Sequence, residues 1–260
     1  MSPESFSNMQ TVNVVKTMKE GPFICVLLVM CSFYYLMVIH HDFSNVVVEP
    51  VTECPVEKKP TAKNFISSQC NCAKMIPVFN ESQLNDNDRF QWCSKESGLR
   101  GDHQRVVSYA LFGEAQNASL FRRYYGLMKN ISLTIEKEYP GWVMRIYHAF
   151  TDHDREGYRA LCDIYCRFPH VDLCSVRDLW ERIGNNTLPI EPTILKGLNK
   201  RMYRYLVMLD PNVDVFISRD IDSLIRKREV DAVNEWLQSN YTFHLMRDNT
   251  YHGSLILAGN

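Results

Sequence analysis

At 260 residues the chain has room for one substantial domain plus accessory segments, and a hydrophobic fraction of 45% is ordinary for a globular protein with some membrane-embedded sequence. The formal net charge of -1 leaves no basic excess to neutralise a phosphate backbone, which sets nucleic acid aside as a partner.

The first predicted element is an apolar run, Phe23 to Ile39, seventeen residues without a charge. At about 1.5 Å per residue such a helix just spans a hydrocarbon core of roughly 30 Å. A buried helix of a soluble protein is the competing reading, but a helix apolar all round, with no polar face, suits lipid better. A cleaved signal peptide is disfavoured because the run exceeds an h-region and is followed by His40, His41 and Asp42 instead of small residues. Lys16 and Lys19 precede the run, whereas Lys58 is the first basic residue after it, so the positive-inside rule orients the N-terminus inward. The expected layout is a cytoplasmic tail over 1–22, a transmembrane signal anchor over 23–39, a lumenal stem over 40–102 and an α/β domain over 103–260.

Two patterns agree with a lumenal C-terminal part. Sequons at Asn80, Asn117, Asn130, Asn185 and Asn240 all follow the apolar run. Seven cysteines also follow it: Cys54, Cys70, Cys72, Cys93, Cys162, Cys166 and Cys174. In an oxidising compartment these form disulfides, and the odd number leaves one unpaired or bonded to another chain. A zinc site built from Cys162, Cys166, Cys174 and His170 is the rival reading of the last three.

Residues 42–102 carry Pro50, Pro55, Pro60 and Pro77 with little periodicity and read as a stem, part of it stapled by its four cysteines. From Arg105 the texture changes. The run RVVSYALFG is β-branched and aromatic, as in a buried strand that meets a loop at Gly113. Leu120, Tyr124, Leu127, Met128, Ile131 and Ile135 then fall at helical spacing, and Pro140-Gly141 ends the helix. A strand from Trp142, a helix over 154–166, a strand from Val171, a helix over 196–206 and a strand over Val213 to Ile217 follow. The alternation implies a doubly wound, mostly parallel sheet.

The last of these strands delivers Asp220 and Asp222 at its carboxyl end, where open α/β sheets bind ligands. Two carboxylates separated by one residue can share a hard divalent cation, Mn2+ or Mg2+, that also takes diphosphate oxygens. Such a cation neutralises a nucleoside diphosphate as it leaves. Beyond this loop, Val230, Val233, Trp236 and Leu237 mark the inner face of a helix, which puts Glu229 and Glu235 on its solvated face. Arg226, Lys227 and Arg228 are read as solvated surface that can also steer an anionic nucleotide. His244, Asp248 and His252 recur every four residues, either as an acid/base or metal set or as loop polar groups.

The motifs FISRDIDS, REVDAVNEWLQS and FHLMRDNTYHG, with VVSYALFG and EYPGWVMRIYH before them, resemble a poorly characterised family of glycosyltransferase-like proteins. That family is similar to nucleotide-diphospho-sugar transferases of the GT-A, Rossmann-like fold. The resemblance implies that Asp220 and Asp222 hold the metal and, with Arg219, Ser223 and His252, bind a nucleotide-sugar donor, and that Asp248 is the catalytic candidate. It implies transfer to a protein, lipid or glycan acceptor. Asn249-Thr250 stand where the family pattern has His-Pro, and the chain reads AGN where a Met-Trp-Gly stretch is expected, so a C-terminally truncated domain is anticipated. Two alternatives remain. One is an inactive, membrane-tethered protein that binds glycans or nucleotide sugars or serves in adhesion. The other is a phosphotransferase with Asp220 as nucleophile, disfavoured by Leu224 and by the 38 residues remaining after Asp222.

Overall fold

The computed structural model describes residues 13–16, 61–67, 69–78, 92–112, 117–150, 154–182 and 197–245. Its centre is a parallel sheet of four strands, β4 (Gln104–Leu111), β5 (Val143–His148), β6 (Val171–Ser175) and β7 (Val213–Arg219), in the order β6-β5-β4-β7. The chain builds β4, β5 and β6 in one direction and then returns to place β7 on the other side of β4. Such a reversal leaves a crevice between the carboxyl ends of the two strands, here β4 and β7. Beyond β7 lie two short strands, β1 (Asn13–Lys16), antiparallel to β7, and β8 (Phe243–Leu245), antiparallel to β1.

Both faces of the sheet are covered, which is why its strands read as continuous apolar runs. Val107, Tyr109 and Leu111 of β4 point to one side, under α2 (Met128–Glu138), α3 (Arg155–Arg167) and α5 (Lys227–Gln238). Val106 and Ala110 point to the other, under α4 (Val176–Arg182) and a 3-10 helix, Lys200–Leu209. The helix stripes follow the sequence: Met128, Ile131 and Ile135 are buried on α2, and Val230, Val233 and Trp236 on α5. Asp154 caps α3 by accepting from the Gly157 amide at 3.1 Å. The stretch expected to be one helix is interrupted: Phe121–Tyr125 is a π-turn closed by the Gly126 amide donating to Phe121 O at 3.1 Å. A Cβ on Gly126 would sit 2.8 Å from Arg122 O, so this turn needs glycine.

The segment before β4 is bound to the domain. A hairpin of β2 (Thr61–Ser67) and β3 (Cys72–Val78) is held to α3 by Cys70–Cys162 and Cys72–Cys166. Cys162 and Cys166 lie one helical turn apart, so a single face of α3 receives both bonds. Cys93–Cys174 anchors the entry to α1 (Lys95–Leu99) at the end of β6. These bonds overturn the zinc reading, because Cys162, Cys166 and Cys174 are all oxidised, and His170 instead contacts Ser132 O at 3.1 Å. Three disulfides are the mark of an extracellular or secretory-pathway domain. Cys54 and the apolar run Phe23 to Ile39 lie outside the described residues. Among the described residues no helix is long and apolar enough to cross a membrane.

At the amino-terminal end of the sheet, charges are buried and matched. Arg100 donates to both Asp172 oxygens at 2.7–3.1 Å and to Pro169 O at 2.8 Å. Arg145 bridges Asp210 and Gln104, each at 2.7 Å. Lys74 of the hairpin reaches Glu96 at 2.7 Å and Val171 O at 2.6 Å. Burial, opposed by Lys74 and Arg100, pushes the Glu96 carboxyl up to about 7.

Candidate functional site

The loop after β7 presents its two carboxylates by alternation. Ile221 and Ile225 are buried in the core beneath α5, and Asp220 and Asp222, on either side of Ile221, stand in the loop at the carboxyl end of β7, beside β4. The loop is braced from below by Arg219, the last residue of β7. Its guanidinium, fully buried, donates to Tyr109 Oη at 3.1 Å and to the carbonyls of Ser223 and Leu224 at 3.2 Å each. Its Nε faces Glu229 Oε1 at 2.7 Å. Glu229 is therefore not on the solvated face expected for it. It sits in the first turn of α5, buried, because a charge inside the domain at Arg219 requires a counter-charge there. Glu235, by contrast, is exposed as expected. Burial also pushes the Tyr109 hydroxyl up to about 12.

Two arginines that sequence reasoning missed close on the carboxylates. Arg123, in the π-turn, donates from Nε and Nη2 to Asp222 Oδ2 at 2.9 and 2.7 Å. Arg204, in the 3-10 helix on the opposite face of the sheet, binds Asp220 Oδ1 through Nη1. The pairs differ in exposure: the side chains of Arg123 and Asp222 are 60% and 19% accessible, those of Arg204 and Asp220 6% and 36%. An exposed pair like the first contributes about 0–1 kcal/mol and exchanges readily with solvent. Burial opposes the charge on Arg204, but the Asp220 carboxylate outweighs it and holds the guanidinium above its ordinary value. The spans linking these pairs, 99 and 16 residues, carry no periodic signal.

Each aspartate spends one oxygen on its arginine, and Asp220 Oδ2 and Asp222 Oδ1 make no hydrogen bond among the described residues. One residue on, Ser223 is buried and its Oγ has no hydrogen-bond partner among the described residues. Two carboxylates with free oxygens suit a hard cation that keeps waters and takes its remaining ligands from a diphosphate. Among the described residues no group of three or more His, Cys, Asp or Glu side chains is disposed to hold a metal by itself.

No family model matches the chain, and neither a curated protein nor a solved structure does.

A second unsatisfied group lies at the same end of the sheet. His148 closes β5, level with Leu111 and Ser175, buried with neither ring nitrogen hydrogen-bonded among the described residues. It stacks on Phe150 at 5.5 Å and meets the edge of Tyr158 at 6.5 Å. Burial, against the nearby Asp178 charge, pushes its imidazole down to about 4, so the ring is neutral. His244 is half-buried in β8, paired with Val14 of β1. Asp248 and His252 lie outside the described residues, as do Asn80 and Asn185. Asn117, Asn130 and Asn240 are exposed. Asn117 Oδ1 accepts from the Ser119 and Leu120 amides at 3.0 and 3.3 Å, bonds that do not involve Nδ2, the atom that glycosylation modifies.

Proposed function

We propose that the chain is a metal-dependent glycosyltransferase that moves a sugar from a nucleotide-sugar donor to a protein, lipid or glycan acceptor. The observation that carries this reading is the position of Asp220 and Asp222, half-exposed at the crevice where the strand order reverses between β4 and β7. A bound Mn2+ or Mg2+ would act there as a Lewis acid on the leaving diphosphate. The chain's own part is to hold and orient: Asp220 and Asp222 take the cation, Arg219 and Glu229 fix the loop that carries them, and Ser223 offers a hydroxyl to the donor. Asp248 and His252 are proposed to join the site as catalytic and donor-binding groups. A protein that binds the donor or a glycan without turnover is the second outcome to be separated.

The proposed setting is the secretory pathway, with a short span over 23–39, type II orientation and Golgi residence favoured by the brevity of the span. That topology puts residues 1–22 across the membrane from the sheet, so β1 cannot stay paired with β7 once the chain is inserted. Protease treatment of sealed microsomes should digest an N-terminal tag and spare the domain, and a protected tag would overturn the orientation.

The test of activity is binding of a panel of sugar nucleotides to the full chain in detergent, with and without Mn2+, beside an Asp220→Asn, Asp222→Asn double variant. Metal-dependent binding that the variant loses supports the donor site, and release of the sugar to water or an acceptor distinguishes an enzyme from a binding protein. A folded wild-type chain that binds no sugar nucleotide would defeat the proposal.

A further inference from the structure

Asp220 and Asp222 are each held by an arginine that belongs to a different layer of the fold. Two carboxylates and two guanidiniums sum to zero charge, so the arginines occupy the electrostatic role that a divalent cation would fill. A cation arriving alone on the free oxygens stands beside two guanidiniums already in place, which is unfavourable at short range. A cation arriving with a diphosphate meets no such conflict. The guanidiniums released from the carboxylates find phosphate oxygens, for which their forked donors are suited.

Resting on the glycosyltransferase reading, we infer that Arg123 and Arg204 form a counter-ion lock: they guard Asp220 and Asp222 in the free protein and transfer to the diphosphate of the donor when the metal binds. The lock makes metal and nucleotide binding mutually dependent, so that the site takes up the pair together and holds either one weakly. The two halves of the lock are unequal. Arg123 is exposed and its pair opens at little cost, whereas Arg204 is enclosed under the sheet and its pair is the principal barrier to a lone cation. Arg123 sits on a π-turn, an irregularity frequent at functional sites, that Gly126 makes possible. Ser223 Oγ, one residue beyond Asp222, is buried without a hydrogen-bond partner among the described residues.

The experiment is a Mn2+ titration of the full chain in detergent, read by the electron paramagnetic resonance signal of free Mn2+, alone and with saturating UDP or inorganic pyrophosphate. In the wild type, UDP should tighten Mn2+ binding by a factor within the usual range of coupling between sites, about 5- to 150-fold. Arg204→Gln should move the two affinities in opposite directions, binding Mn2+ alone more tightly and losing most of the tightening by UDP. Arg123→Gln should do the same to a smaller degree, and because that side chain is exposed its variant keeps the fold if Arg204→Gln does not. Pyrophosphate that reproduces the UDP effect assigns the coupling to the phosphates, as the lock requires, and coupling confined to UDP would contradict it. Variants that weaken Mn2+ binding with and without UDP, or leave the coupling unchanged, overturn the lock while the metal site stands. Absence of Mn2+ binding in every chain, UDP present, overturns the glycosyltransferase reading and the lock with it.

Discussion

The two ends of the central sheet use the same residue types to opposite effect. At the amino-terminal end Arg100, Asp172, Arg145 and Asp210 are fully enclosed, and their bonds run to one another, to the side chains of Glu96 and Gln104 and to main-chain carbonyls, with Arg145 Nε 4.0 Å from Asp172. At the carboxyl end Asp220 and Asp222 are half-exposed, and among the described residues each keeps an oxygen without a hydrogen bond while His148 and Ser223 are enclosed without partners. A buried ion pair whose members are mutually satisfied holds the fold in one arrangement, whereas paired carboxylates that keep an oxygen near solvent are available to a ligand. The difference separates structure from function more sharply than charge or burial alone.

Removing one side of the enclosed set should show the largest effect. Asp172→Ala leaves the buried Arg100 with only Glu96, at 3.4 Å, as a counter-charge and is expected to cost about 3–5 kcal/mol in chemical denaturation, enough to prevent secretion of a marginal domain. Cys93→Ser with Cys174→Ser opens a link spanning 81 residues and should cost roughly 2–5 kcal/mol by the same measurement. At the other end, Asp222→Asn should shift stability by less than about 1 kcal/mol, since its partner Arg123 is exposed. A loss as large as that of Asp172→Ala would erase the contrast between the two ends.

The pH dependence sharpens the same comparison. His148 and His170 are both pushed down to about 4 by burial from an ordinary value of 6.5. Between those values the unfolded chain takes up protons that the folded one refuses, so their contribution to stability is present above pH 6.5 and is lost as pH falls toward 4. His148→Phe should flatten that slope and leave the protein more resistant to acid melting than the wild type. An unchanged slope would mean that the ring is not held neutral. The smallest effect is expected from Arg123→Gln, whose melting temperature should match the wild type because its pair is exposed.

Much of the fold was legible in the residues. β4, β5 and β7 announce themselves as apolar runs because both faces are covered, and α5 because Val230, Val233 and Trp236 recur on one side. The hairpin of β2 and β3 was not recognised within the proline-bearing stem: β2 is largely exposed and lacks an apolar stripe, and the disulfides tie the hairpin to α3 some 90 residues away. Glu229 was misplaced because a glutamate in the first turn of a helix ordinarily faces water, and only the burial of Arg219 reverses that expectation. The carboxylate pair was legible from its place after a strand. Its arginine partners were not, because Arg123 and Arg204 become neighbours of the loop only when the π-turn and the 3-10 helix fold over opposite faces of the sheet.

The most direct measurement is a crystal structure of the chain with Mn2+ and UDP, with the metal located by anomalous scattering. The account predicts a peak within about 2.0–2.6 Å of oxygens from both Asp220 and Asp222, the distance range of hard divalent cations on carboxylates. Arg123 and Arg204 would be turned to the diphosphate. A nucleotide bound elsewhere, or bound at this crevice with no metal between the two aspartates, would contradict it.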